Sequence, residues 1–419
     1  MADPQRDRLS GRLPLFPTST VGSWPRPPAL QRARRDRMAG RIDDEQLADA
    51  EDRAVADWLG LQEGLGIDVV TDGEQRRDNF YSFVAGKLDG VRLMSLAEML
   101  EIVEDREGFE RLLRSLDVPA YSIFSPTCVG KVSRRRPLAV AELAFVRART
   151  DRPVKVPLPG PYLLTRAMWL KELSGSAYPD KEALADDVCA LLIEEIDELC
   201  AAGADFIQLD EPVLTEVAFN PGGTRTFMCA ALASRADPAE ELDWAVSLIN
   251  RVLAPVRRRA DRPRLGLHVC RGNWSVDEAT LLSGAYHPLA PWLARLDVDQ
   301  LVLEFATPRA GELSSLLSDP GIAAGKQLGL GVVNPRTEEV EAVEAIVQRA
   351  REARGFLPAE AIWLNPDCGF ATFASRPMNA ERTAQDKLGA MVAAARSFAQ
   401  PREPCPRRRR DERGRSPEP

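Results

Sequence analysis

Histidine is nearly missing from this chain: 419 residues carry two, His268 and His287. Chemistry that leans on imidazole, whether acid–base catalysis or metal binding, is thereby confined to two positions. An excess of positive charge is missing as well, since 55 Lys and Arg stand against 63 Asp and Glu for a net charge of −8. Binding to a phosphate backbone normally needs a basic face, so a nucleic-acid partner is not expected. No run approaches the roughly 20 apolar residues of a membrane span, and the opening "MADPQRDRLSGRLPLFP" lacks the apolar core of a signal peptide. The expectation is a cytoplasmic protein without a membrane partner. Paired cysteine spacing is absent too: seven cysteines lie scattered along the chain. That pattern argues against a disulfide framework and leaves reduced thiols that each need their own explanation.

What is present is ordinary core-forming material, 44% hydrophobic and 28% charged. Short runs rich in Val, Ile and Leu recur: "TSTVGS" (18–23), "IDVVTDGE" (67–74), "VKVPLPG" (154–160), "FIQLDEP" (206–212), "RLGLHVC" (264–270), "QLVLEFA" (300–306), "QLGLGVV" (327–333) and "AIWLNPDC" (361–368). Amphipathic stretches such as "KEALADDVCALLIEEIDELCAAGA" lie between them. Eight strands alternating with helices predict the α/β class, as a single (β/α)8 TIM barrel. The near-continuous apolar strands suit parallel strands buried on both faces. Residues of about 75–153 exceed one βα connection and read as an insertion after the second strand, a hairpin or lid with a helix over the barrel mouth. Residues 1–13 are expected to be a flexible N-terminus, 14–398 the barrel, and 399–419, "QPREPCPRRRRDERGRSPEP" after its first residue, a disordered Pro/Arg-rich tail.

In such barrels the active site lies at the C-terminal ends of the strands. The runs above end in Ser23, in Asp72 and Glu74, in Asp210 and Glu211, in His268 and Cys270, in Glu304 and in Cys368. Carboxylates and thiols at the tips of apolar strands are costly to bury unless paired or bound to metal. Residues two apart on a strand point the same way, so His268 and Cys270 aim at one point. Glu304 and Cys368 complete a set of one nitrogen, two sulfurs and one oxygen. That set suits tetrahedral Zn²⁺ with a weaker carboxylate ligand that a substrate could displace. Cys189 and Cys200 read as core residues of one helix; Cys128, Cys229 and Cys405 have no partner pattern, and His287 reads as a loop residue.

The ordered segments "TSTVGSWPRP", "DGEQRRDN", "ADFIQLDEPVLTE", "LHVC", "LEFA" and "NPDCGF" resemble the C-terminal catalytic barrel of cobalamin-independent methionine synthase, in a short single-barrel form. The resemblance covers about residues 14–398. It implies a 5-methyltetrahydropteroyltriglutamate–homocysteine S-methyltransferase-like enzyme of methionine biosynthesis, with homocysteine activated as a zinc thiolate and methylated by methyltetrahydrofolate or another methyl carrier. It implies zinc on His268, Cys270, Glu304 and Cys368, and homocysteine contacts from Ser23, Glu74 and Asp210. Two carboxylates and a hydroxyl are suited to hold an ammonium group and orient a thiol toward a metal.

Two features depart from that family. The chain has room for one barrel where the full-length enzyme has two. The family's histidine after the seventh strand, associated with protonating the leaving folate nitrogen, is absent from "GLGVVNPRTEEVE", which offers Asn334. An alternative is therefore a zinc-dependent alkyltransferase acting on another thiol or electrophile, like the epoxyalkane:coenzyme M transferases. The acidic pair favours a thiol that carries an ammonium group. A more remote alternative is a non-catalytic zinc-binding scaffold.

Overall fold

The computed structural model describes residues 7–103, 107, 123–219 and 237–398. Six of the eight expected strands form a continuous parallel sheet in chain order: β3 (Lys155–Pro159), β4 (Phe206–Asp210), β5 (Arg264–Val269), β6 (Gln300–Leu303), β7 (Gln327–Val333) and β8 (Ile362–Pro366). The first two expected strands make single bridges, not ladders. Thr18 bridges Leu364 on β8, Ser19 bridges Val69, and Val70 bridges Val154 beside β3, all parallel. Backbone bonds from Ser19 N–H to Leu364 O (3.1 Å), Val69 N–H to Thr18 O (3.1 Å) and Lys155 N–H to Val70 O (2.8 Å) carry the ring from β8 back to β3. Eight staves thus close a (β/α)8 barrel.

The helices between the staves form for local reasons visible in the chain. Asp44–Leu65 starts from a reciprocal cap, in which the Asp43 carboxylate accepts from Gln46 N–H while the Gln46 side chain accepts from Asp43 N–H. It stops at Gly66, whose left-handed φ of 86° an L-residue adopts only with strain. Lys181–Ala201 and Pro238–Arg257 carry Asp caps at Asp180 and Asp237, and each turns an apolar face to the sheet. Cys189 and Cys200 lie buried on the first of these, as core residues.

The insertion contains an antiparallel hairpin, β1 (Leu88–Ser95) with β2 (Phe124–Arg134). It packs beside the barrel: Ser125 Oγ donates to Ala167 O (3.2 Å) and Ser174 Oγ to Cys128 O (3.0 Å). Its root is tied down by a buried ion pair, Arg77 Nη2 to Glu142 Oε2 at 2.7 Å, and by Lys87 Nζ to Glu142 Oε1 at 3.0 Å. Among the described residues of this segment, Phe80 and Tyr81 line the pocket at the barrel mouth.

Of the segment expected to be flexible over 1–13, residues 1–6 lie outside the described residues and residues 7–13 pack against the barrel. Within the described part, Asp7 forms a buried ion pair with Arg264 of β5 at 2.8 Å, and Arg8 N–H donates to Arg262 O at 3.0 Å. Leu9 is buried with Val69, Phe206 and Trp363, an apolar plug at the strands' N-terminal ends. Gly266 makes room for this floor, because a Cβ there would collide with the Phe206 ring. The tail expected over 399–419 lies outside the described residues.

Candidate metal centre and substrate pocket

Parallel pairing delivers the site. Asp210 and His268 are register partners at the tips of β4 and β5, and His268 is in turn the partner of Val302 on β6. The His268 Nδ1 lies 3.1 Å from Val302 O. A carbonyl accepts only, so Nδ1 carries the proton and Nε2 keeps its lone pair. Nε2 is buried with no hydrogen-bond partner. His268, Cys270 and Cys368 bring donor atoms within 4.8 Å of one another, and all three residues are buried. The thiol of Cys368 next to Cys270, together with His268, holds the Cys270 thiol below its usual range, while Cys368 is pushed up. A buried imidazole lone pair facing two sulfurs fits a zinc ion.

β5 and β8 are not neighbours, so their loops need a tie to bring Cys270 and Cys368 together. Asn273 supplies it, with Nδ2 donating to Gly369 O (2.7 Å) and to Thr372 Oγ1 (2.8 Å). Thr215 Oγ1 donates to Cys270 O (2.7 Å) and fixes the other side of the loop.

Glu304 differs from the expectation. It follows β6 but does not belong to the group of three; its carboxylate is taken by guanidinium groups. Arg336 Nη2 bonds Oε1, and Arg309 Nη2 and Arg271 Nη1 stand 3.5 Å and 3.7 Å from Oε2. Burial works to raise this carboxyl, yet Arg336, Arg309 and Arg271 hold it below the usual range. The strongest partner, Arg336, comes from the loop after β7 that also carries Asn334, and Asn334 itself is occupied with Glu278 Oε1 (2.7 Å).

The three clustered residues share one pocket with Ser23, Glu74 and Asp210. Glu74 sits in a tight turn, Gly73 at φ 69° and Glu74 itself at φ 54°. A left-handed conformation at a residue with a side chain is strained and concentrates at functional positions. Gly22 and Gly369 make the approach of these groups feasible, because a Cβ at 22 would collide with the Glu74 carboxylate and one at 369 with Ser23 Oγ. Glu74 Oε2 is buried without a hydrogen-bond partner. Burial pushes Glu74 up to about 7, against the opposing pull of Arg77 and with Asp210 adding to the rise, and it pushes Asp210 up to about 6, with His268 partly offsetting the rise. Gln208 Nε2 donates to Asp210 Oδ1 at 2.8 Å and orients it.

The remaining strand-end carboxylates have structural work. Glu211 accepts from Tyr162 and Leu163 N–H (both 2.9 Å), capping the helix Pro161–Met168. Asp72 accepts from Glu74 N–H (3.0 Å), and Asp367 from Phe305 and Ala306 N–H (both 2.9 Å). Pocket residues absent from the sequence reading are Asn273, Trp274, Phe80, Tyr81, Thr372 and Phe373. Asn273 and Trp274 lie three and four residues beyond Cys270, and that closeness to the His-x-Cys segment is the signal the sequence offers.

Comparison with known proteins agrees with this geometry. A family model described as the catalytic domain of cobalamin-independent synthase matches residues 16–397. The methionine synthase of Pyrococcus abyssi is 29% identical over 385 residues, spanning 92% of this chain and 93% of its own. A 5-methyltetrahydropteroyltriglutamate–homocysteine methyltransferase of Halalkalibacterium halodurans is 29% identical across 92% of this chain but only 43% of its own length. Among solved structures, a B12-independent methionine synthase from Shewanella sp. W3-18-1, in complex with selenomethionine, superposes with a TM-score of 0.69 at 24% identity, covering 92% of this chain and 98% of that one. The last likeness is one of fold.

Proposed function

The chain belongs to the catalytic-domain family of the cobalamin-independent synthases, and from that premise we propose that it methylates homocysteine to methionine at a zinc ion held by His268, Cys270 and Cys368. The observation that carries this reading is the shape of one pocket, with a nitrogen and two sulfurs on one wall and a pair of carboxylates on the other. Zinc bound there would supply the Lewis acidity that leaves a coordinated substrate thiol deprotonated at neutral pH. The chain's own residues do the rest. Val302 O fixes the His268 tautomer and so aims Nε2. Glu74 and Asp210 take the substrate ammonium, and Ser23 Oγ is placed beside Gly369 to donate to the substrate. Held at its ammonium end, homocysteine presents sulfur to the metal side of the pocket. The sulfur then attacks the methyl carbon of the donor, forming S–CH3 as the donor's bond to that carbon breaks and its leaving atom takes the electron pair.

Proton delivery to the leaving atom distinguishes donors. After β7 the chain presents Asn334 and Arg336, and neither side chain releases a proton near neutral pH. A donor whose leaving group needs little acid help suits this loop best. The acidic pair speaks for an ammonium-bearing thiol and against a sulfonate thiol, which two carboxylates would repel.

The test is to incubate zinc-loaded protein with homocysteine and, separately, methyltetrahydrofolate as mono- and polyglutamate, methylcobalamin, or no donor. Donor-dependent methionine by mass spectrometry is expected. Homocysteine uptake without methionine from any donor would move the reading to a different electrophile.

A further inference from the structure

The carboxylate of Glu304 sits one residue beyond β6, beside the strand whose Val302 O fixes His268, yet it faces guanidinium groups. Arg336 comes from the loop after β7, Arg309 from the loop after β6 and Arg271 from the loop after β5. Both Arg336 and Arg271 have fully buried side chains, and Arg309 is 9% exposed. Arg336 is itself anchored, with Nη2 donating to Gly272 O (2.8 Å) and Nη1 to Asn334 Oδ1 (3.3 Å). Gly272 lies two residues beyond Cys270, so one guanidinium ties the metal loop to the carboxylate. Three cations thus face Glu304, with the Asp367 carboxylate also near Arg336 and Arg309, and Arg309 Nε and Nη1 remain buried without a hydrogen-bond partner. Such a cluster is rich in positive charge and gains by retaining Glu304. A dication a short distance away would gain by taking it.

We propose that Arg336 competes with the zinc for Glu304, so that the arginine cluster is the off-metal seat of a carboxylate that closes the metal's coordination only in the absence of substrate. This rests on the metal reading given above. With Glu304 seated on Arg336, the fourth position at the metal is open to the homocysteine sulfur. Arg336 is then a positioning residue that acts through Glu304. Linkage makes the effect reciprocal: whatever loosens Glu304 from the arginines strengthens metal binding without substrate and weakens thiol binding.

The test uses the full-length holoprotein with Zn²⁺ itself as probe. Zinc affinity is read by chelator competition, and homocysteine binding by calorimetry, in wild type, Arg336→Met, Arg336→Lys, Arg309→Met and the double variant Arg336→Met with Glu304→Gln. Arg336→Met is expected to tighten substrate-free zinc by roughly tenfold and to weaken homocysteine by a similar factor, within the usual range of coupling between sites. Arg336→Lys keeps the charge and stays near wild type, while Arg309→Met, which leaves the shorter contact in place, shifts both affinities the same way by less. The double variant loses the gain in zinc affinity. If Arg336→Met does not fold, Arg309→Met carries the test, with shifts of the same sign and smaller size. Unchanged or weaker zinc binding in the folded arginine variants would overturn the competition. Failure of wild-type protein to bind one zinc per chain would instead overturn the metal reading beneath it.

Discussion

Asp210 and His268 sit side by side as register partners at the tips of adjacent parallel strands. Under the proposed function, that pairing would set a carboxylate for the substrate ammonium next to an imidazole for the metal and so orient a small amino-acid thiol in the pocket. Asp210→Asn and Glu74→Gln should therefore raise the KM for homocysteine by roughly 10- to 100-fold each, the value of losing a hydrogen bond to a charged group. Zinc content and kcat should change much less. Equal losses in kcat with an unaltered KM would contradict this division of labour.

The same pair predicts a pH dependence. Burial pushes Asp210 up to about 6 and Glu74 up to about 7, so both are largely neutral in acid and charged above neutrality. The substrate ammonium stays protonated throughout, so kcat/KM for homocysteine should climb as pH rises through these two values and then level off. Because the folded-state values lie above the unfolded ones, the native protein binds more protons in that window, and the stability of the substrate-free protein should fall as pH rises toward 7. A flat kcat/KM profile between about pH 5.5 and 8 would contradict the assignment.

His268→Ala and Cys368→Ala remove one of three clustered donors each. Metal content by atomic emission should drop from one zinc per chain to a small fraction of that, with the far-ultraviolet circular dichroism unchanged and methionine formation lost. Full zinc retention in either variant would place the metal elsewhere.

The packed N-terminal stretch predicts a stability effect far from the pocket. Asp7→Ala strands the buried Arg264 guanidinium and should cost about 3–5 kcal/mol in denaturant unfolding. Leu9→Ala opens the floor of the barrel for about 2–5 kcal/mol. Unchanged midpoints would mean that this segment does not seal the barrel.

The sequence revealed the barrel because each buried parallel strand is a short apolar run between helices, and six of the eight runs form ladders. The first two do not, since Pro17 and the Asp72–Gly73–Glu74 turn leave each with few residues in strand conformation. Position at the end of an apolar run singled out Ser23, Glu74, Asp210, His268, Cys270 and Cys368, alternation aligned His268 with Cys270, and the family resemblance implied the substrate role of Ser23, Glu74 and Asp210; all six share the pocket. It did not reveal the fate of Glu304. Arg271, Arg309 and Arg336 converge on it from three separate loops, and no local pattern encodes a meeting of that kind. Asn273 escaped for the same reason, because its partners Gly369 and Thr372 are nearly 100 positions away, at |i−j| of 96 and 99. The N-terminal anchor was hidden in a polar stretch whose one buried carboxylate finds its arginine 257 residues later.

The most direct test of the account is zinc K-edge absorption on the wild-type protein before and after homocysteine is added. The account predicts a zinc bound by two sulfurs and one imidazole that gains a third sulfur from the substrate. A zinc whose sulfur count stays at two with homocysteine bound would contradict it.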